Sequence, residues 1–262
     1  VAAMIDDAAK GTYSILPPEQ MQHLPKDREN DIGTIDAIHL QLSAEDTTKL
    51  VNSCRSVGAT IQGVISAASL VARLKKTKTS CSGNILCVIQ VPVNTRVLVP
   101  HHQGSIDYAK TCLCGSAGVV HSLLVDTQRI DEPNYLLELS KQCTEKVQTA
   151  IQKTNQPIEW LRRLMNDPAT LPPYSLQASS IGISPVLSRY NQLRVDECLF
   201  FGSALQTPPA AQATMIHAMT FDGRMNIMMN FTSPGIERSP FMEELSKEME
   251  TILKKVSDNT QH

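Results

Sequence analysis

The chain has 262 residues, 42% of them hydrophobic and 4% aromatic, with 24 Lys+Arg against 26 Asp+Glu for a formal net charge of -2. That is enough apolar material to bury a core, which excludes a wholly disordered chain, and without a basic excess nucleic acid is a poor main partner. No apolar run reaches the ~20 residues of a bilayer-crossing helix; the best, Ile61 to Leu74, ends among Arg73, Lys75 and Lys76.

Residues 1–34 read as an irregular N-terminal segment, interrupted by Pro17, Pro18 and Pro25. From 35 to 262 the pattern is that of one folded lobe. Ile38, Leu40 and Leu42 alternate with His39 and Gln41, which predicts a strand with one buried face. Ser43 and Asp46 form a capping pair for a helix over Ala44 to Ser56, and Gly58 marks its stop. A second helix follows over Ile61 to Lys75. Its Gly63, Ser66, Ala67, Ala68 and Ser69 let it lie close to a sheet or another helix, and its basic tail suits a helix C-terminus.

Asn84 to Val93 is a nearly continuous apolar strand, expected to be covered on both faces. Val119 to Val125 predicts another strand. Asp131 to Lys153 is an amphipathic helix with Leu136, Leu139, Cys143, Val147 and Ile151 at helical spacing. Ile158 to Met165 predicts a short helix around Trp160, the only tryptophan. Strands are then expected over Ser175 to Ile183, Leu193 to Ser203, Ala213 to Phe221 and Arg224 to Phe231. Asp222-Gly223 joins the last two as a two-residue hairpin turn. Ser239 to Val256 closes the chain as a helix. The whole is an α/β (α+β sandwich) class, a mixed β-sheet covered by helices.

The seven cysteines form no framework. Several lie in apolar runs, where Cys behaves as a small hydrophobe. Cys112 and Cys114 are too close for a zinc pair and lack a second pair. Reduced thiols in a non-oxidising compartment, the cytoplasm first, are the expectation, with no metal. Asn230-Phe231-Thr232 is a sequon inside a predicted strand and is discounted. His39 is expected to face solvent; His121 and His217 sit in apolar strands, where the usual histidine is structural and satisfied. Met215, Met219, Met225, Met228 and Met229 cluster on the hairpin. Core packing explains them, and a pliable wall for an apolar ligand is the alternative. The candidate ligand-binding set is Ser180, Met215, Met219, Phe221 and Met228.

The order of these elements resembles the second half of the CoA-dependent acyltransferase superfamily, the chloramphenicol acetyltransferase-like proteins that include alcohol acetyltransferases and peptide-synthetase condensation domains. The residues that carry the resemblance are Leu42-Ser43-Ala44-Glu45, Gly58-Ala59-Thr60-Ile61-Gln62-Gly63 and Ser66-Ala67-Ala68. Val93-Asn94-Thr95-Arg96, Gly115-Ser116-Ala117-Gly118, Ser180-Ile181-Gly182 and Thr220-Phe221-Asp222-Gly223-Arg224 follow in the same order. Such enzymes have two similar lobes, and their catalytic motif, H-H-x-x-x-D-G, belongs to the first. The resemblance therefore implies a C-terminal lobe that contributes acyl-channel and acceptor-site walls, takes acyl-CoA as substrate, and has its catalytic His on a missing or separate N-terminal lobe; the expected partner is that lobe on another chain, or a second copy in a homo-oligomer. A chain that begins at Val1 rather than Met fits a fragment of a longer precursor.

His101-His102-Gln103-Gly104-Ser105-Ile106-Asp107 matches H-H-x-x-x-D. In that reading His102 takes the acceptor proton and Asp107 holds the loop. Against it, Tyr108 replaces the family Gly, the motif follows Val93-Asn94-Thr95-Arg96, which belongs to another part of the pattern, and too little chain remains after it. A polar surface loop explains the segment better. A second class of function stands beside the acyltransferase half: a non-catalytic protein that holds an apolar small molecule, lipid or pigment, in the cleft between lobes.

Overall fold

The computed structural model describes residues 14–15, 34–76, 83–94, 116–153, 175–200, 215–233 and 240–258, together with the single positions Pro157, Glu159, Arg162, Arg163 and Asn166, which are helical. The strands are β1 (Ser14–Ile15), β2 (Thr34–Leu42), β3 (Asn84–Asn94), β4 (Ser116–Asp126), β5 (Leu176–Ile183), β6 (Arg189–Tyr190), β7 (Leu193–Arg194), β8 (Met215–Phe221) and β9 (Arg224–Ser233). The helices are α1 (Ala44–Ser56), α2 (Ile61–Lys76), α3 (Pro133–Lys153) and α4 (Pro240–Asp258).

Seven strands make one mixed sheet. β3 pairs antiparallel with β4 along its length, and its other edge takes β1 at Ile85–Leu86 and β5 at Ile89–Gln90, both parallel. β8 lies parallel to β5, β9 antiparallel to β8, and β2 antiparallel to β9 at the far edge. The strand β6–β7 hairpin stands apart as a second small sheet. Because side chains alternate across a strand, the register assigns each residue to one of two faces. Ile38, Leu40, Ile89, Ala178, Ile216 and Ile227 share the face that joins the helices in one hydrophobic core.

Local chemistry explains the ends of the elements. Ser43 caps α1: its Oγ accepts from Asp46 N–H at 3.0 Å and donates to Asp46 Oδ2 at 2.7 Å. Asp222 and Gly223 both adopt positive φ (48° and 78°), the pair that a two-residue hairpin between twisted strands requires. β3 is buried from Ile85 to Val91, as its unbroken apolar run predicts.

α2 is the central helix. Every residue from Gly63 to Leu74 is buried, because it meets neighbours all round: α3 on one side, α4 on another, and β5 beneath. Ser69 Oγ lies 3.6 Å from Met249 Sδ of α4. Thr144 of α3 accepts from Thr60 N–H at 3.0 Å and donates to Ser140 O at 2.9 Å. A Cβ on Gly63 would overlap the Ser140 carbonyl oxygen and Thr144 Oγ1, so the small residue sets the helix separation.

One expected strand is corrected. Leu193 to Ser203 forms a strand only at Leu193–Arg194; residues 195–200 are irregular, and 201–203 lie outside the described residues. Its described strand residues pair with Arg189–Tyr190 across a tight turn rather than with the main sheet. The expected helix around Trp160 is seen at its described positions, while Trp160 itself lies outside them. β1 is the described part of 1–34 before β2 begins.

Candidate functional site

The sheet has a second face, opposite the one on which α1, α2, α3 and α4 pack among the described residues. Met215, His217, Met219 and Phe221 alternate onto it from β8, and the hairpin register sets Asn226, Met228 and Asn230 beside them from β9. β2 adds Ala37, His39 and Gln41. β5 adds Gln177 and Ser179, and β3 adds Gln90. Four of the five expected ligand-binding residues, Met215, Met219, Met228 and Phe221, therefore share one surface. All four are buried, yet only the helix-side methionines Met225 and Met229 join the main core. The thioether cluster read from the sequence is thus two sets with opposite directions.

Ser180, the fifth, is not with them. It pairs with Ala218 and belongs to the helix side. Its N–H donates to Gln62 Oε1 at 2.6 Å, and Gln62 Nε2 donates to Ala178 O at 3.0 Å. Gln62, a residue of α2, thus bonds the backbone of β5 as a neighbouring strand would. The β5–β8 register then shifts between Ser180 and Ile183. His102 and Asp107 lie outside the described residues, as do Arg96, Cys81, Cys112 and Cys114.

Polar groups cross the helix-free face in rows. One row runs Val120, Gln90, Gln177, Met215, Asn230 and Ala37; the next joins Ser179, His217, Met228 and His39. Asn226 is the anchor of the outer end. Its Oδ1 lies 2.8 Å from Gln41 Nε2 and 3.0 Å from His39 Nε2, and its Nδ2 donates to Cys198 O at 3.4 Å. His39 Nδ1 sits 3.6 Å from Glu197 Oε1. The ring of Phe200 stands perpendicular to that of His217, with centroids 5.0 Å apart. Residues 197–200 are therefore held against this face.

His121 and His217 correct the sequence expectation: both are buried, but neither has a hydrogen-bond partner on either ring nitrogen. Desolvation lowers the His217 pKa to about 4. Desolvation, with Lys146 adding repulsion, lowers that of His121 to about 3. The unfolded chain takes up a proton near pH 6.5 on each, while the folded one resists until far lower pH. The stabilisation is complete above pH 6.5 and is lost as pH falls below it. Between pH 7 and 5.5 each histidine is expected to remove about 1 kcal/mol of stability. Urea titrations at the two pH values check this; a His121→Phe, His217→Phe double variant should flatten the difference, and an equal loss in that variant would contradict it.

Three of the four described thiols, Cys54, Cys87 and Cys143, are buried; Cys198 is half-buried, with Ser184 Oγ 3.9 Å from its Sγ. Burial pushes Cys54 and Cys87 up to about 12 and raises Cys143 as well. The Asn230 side chain is buried in β9, which blocks the sequon. Among the described residues no three His, Cys, Asp or Glu side chains gather as a metal site, and no single helix is long and apolar enough to cross a membrane. An open depression of about 400 Å³, lined by Ser56, Val57, Asn134, Leu137, Glu138 and Lys141, lies on the helix side between α1 and α3. Gln90 and Asn226 were not singled out by the sequence, and Gln62 only as part of the Gly58 to Gly63 resemblance. Their roles depend on contacts between elements far apart in the chain, which leave no local signal.

Among the described residues, all but one of the exposed large apolar side chains lie between Ile181 and Leu199. Ile183 is 82% exposed, Leu193 72% and Leu187 62%, with Ile181, Val186, Tyr190 and Leu199 also exposed.

Residues 33–230 match the sequence profile of the family described as phthiocerol/phthiodiolone dimycocerosyl transferase C-terminus. No curated protein sequence matches the chain significantly. Among solved structures, the epimerization domain from the third module of tyrocidine synthetase B is similar, with a TM-score of 0.60 and 16% identity over 99% of this chain and 55% of that one. Trichothecene 15-O-acetyltransferase from Fusarium sporotrichioides gives 0.62 and 14% identity over 84% and 47%. PapA2 acyl transferase gives 0.52 and 11% over 98% and 51%. The chain spans about half the length of these proteins, and at such identities the likeness is one of fold.

Proposed function

Since the chain belongs to the family of phthiocerol/phthiodiolone dimycocerosyl transferase C-termini, an acyltransferase-like domain with a condensation-domain-like fold, we propose that it is the second lobe of a CoA-dependent acyl-transferring protein. Its helix-free sheet face lines the acyl channel and part of the acceptor site, and the catalytic His comes from an N-terminal lobe. The observation that carries this reading is the gathering of Met215, Met219, Met228 and Phe221 on a sheet face that the helices do not use. Thioethers and a phenyl ring give an apolar, adaptable wall that suits a long hydrocarbon chain. The donor is acyl-CoA, held as substrate.

The exposed apolar arm over residues 181–199 supplies the contact with the other lobe. Solved relatives are about twice as long as this chain, so a body of similar size remains to cover that surface. That lobe, rather than a second copy of this chain, sits on the arm.

Acyl-CoA donors of different length test the wall. In the native protein, Met219→Trp fills the face with a bulky ring. The expected result is a fall of at least tenfold in kcat/KM for a sixteen-carbon donor, with a two-carbon donor changed less than threefold. An equal fall for both lengths would show that Met219 does not line the channel. A native protein that binds acyl chains yet releases no CoA would instead favour the non-catalytic binder.

A further inference from the structure

β3 and β5 part company soon after they meet. Among the described residues they pair only at Ile89–Leu176 and Gln90–Gln177, although β3 continues beside β4 to the Asn94–Ser116 pair. The Val88 carbonyl accepts from Ser175 N–H at 2.7 Å, so the backbone groups of Val88 face β5. Backbone groups two residues apart on a strand face the same edge, hence those of Gln90 and of position 92 face β5 as well. Position 92 is proline, which has no N–H to give. The next ladder bond from β3 to β5, from a position-92 N–H to Ala178 O, therefore cannot form.

Gln62 of α2 takes both places of that missing peptide unit. Its Nε2 donates to Ala178 O at 3.0 Å, and its Oε1 accepts from Ser180 N–H at 2.6 Å. Nε2 also donates to Ser66 Oγ, one turn along the helix, at 3.1 Å, which steadies the carboxamide. A carboxamide carries the donor and the acceptor of a peptide group side by side. Just past Ser180, Gly182 adopts a φ of +76° and the β5–β8 register shifts. The exposed apolar run begins there, at Ile181 and Ile183.

We propose that Gln62 is the positioning residue of the arm: its carboxamide stands in for the β3 peptide at position 92, ties the end of β5 to α2, and so fixes where residues 181–199 leave the sheet to meet the other lobe. This rests on the reading that the arm contacts an N-terminal lobe, and it names the residue that aims that contact. Since α2 is buried from Gly63 to Leu74, the direction of the arm is set by the core of the lobe. A misdirected arm would leave the substrate-binding wall intact and displace it from the catalytic His on the other lobe.

Gln62→Leu in the native protein removes both bonds and keeps most of the side chain's bulk. Protection of the Ser180 amide from hydrogen exchange should fall about tenfold, the effect of one net hydrogen bond. The kcat for acyl transfer should fall by a similar factor of about ten while KM for acyl-CoA stays within about twofold, and the radius of gyration should rise as the lobes part. Thr144→Val is the control. It breaks the bonds to Thr60 and Ser140 where α2 meets α3, so it lowers Tm without touching β5. Measured well below either Tm, its Ser180 protection, kcat and radius should match the native values. Gln62→Glu keeps the acceptor for Ser180 N–H but, ionised, has no donor for Ala178 O, and should reproduce the losses of Gln62→Leu in part. Unchanged Ser180 protection in Gln62→Leu, a Gln62→Glu variant identical to the native protein, or an equal fall of kcat in Thr144→Val would overturn the proposal. So would a loss of Ser180 protection that leaves kcat and radius unchanged. A native protein that transfers no acyl group, but whose Gln62→Leu variant loses Ser180 protection and expands, would retain this inference and lose the functional reading above.

Discussion

Replacing Gly63 with Val is expected to destabilise the lobe by about 3 kcal/mol or more, at the upper end for overpacked cores. The glycine is the point at which α2 touches α3. A side chain there would meet the Ser140 carbonyl oxygen and Thr144 Oγ1, and a backbone carbonyl has little freedom to move aside. The same contact holds the Thr60–Thr144 hydrogen bonds at 3.0 Å, so the helices would separate and lose those bonds as well. Since α2 also bonds β5 through Gln62, the disturbance should reach the sheet. Urea denaturation gives the stability, and amide exchange at Ser180 reports the coupling. A variant with an unchanged urea midpoint would show that the helices do not approach so closely.

Changing Ile183 and Leu193 together to Asp is expected to reduce acyl transfer about 100-fold while leaving the melting temperature of this lobe nearly unchanged. Both side chains already face water, at 82% and 72% exposure, so no core contact is lost within the lobe. Against an apolar partner surface, two buried and unpaired carboxylates would weaken docking by several kcal/mol. The loss should appear with an increase in the radius of gyration of the native protein, as the lobes part. Unchanged scattering together with unchanged activity would remove the arm from the lobe contact.

Local chemistry was legible in the sequence and pairing across distance was not. Ser43 with Asp46 announces the start of α1, and Asp222-Gly223 announces the β8–β9 turn, because each acts through its own neighbours. The two-residue turn even fixes which methionines share a face: Met219 must sit opposite Asn226 and Thr220 opposite Met225. Reading the five methionines as one cluster overlooked that parity. Ser180 was grouped with them although its neighbour Ser179 is the residue that faces His217. The polar rows could not be read in advance at all. Gln90 and Gln177 are adjacent only because β3 and β5 pair in parallel, and the chain between them contains a strand and a long helix. The expected strand after Leu193 failed for a related reason: its apolar residues alternate, but a strand also needs a partner, and its described part pairs only with Arg189–Tyr190.

The most direct measurement is photolabelling of the native protein with a fatty acyl-CoA that carries a diazirine near the end of its chain. The expected adducts map to the peptides of β8 and β9 that contain Met215, Met219 and Met228. Adducts confined to the helix side, at the depression beside Leu137 and Lys141 or elsewhere on α1 and α3, would contradict the account, as would the absence of any adduct on this chain.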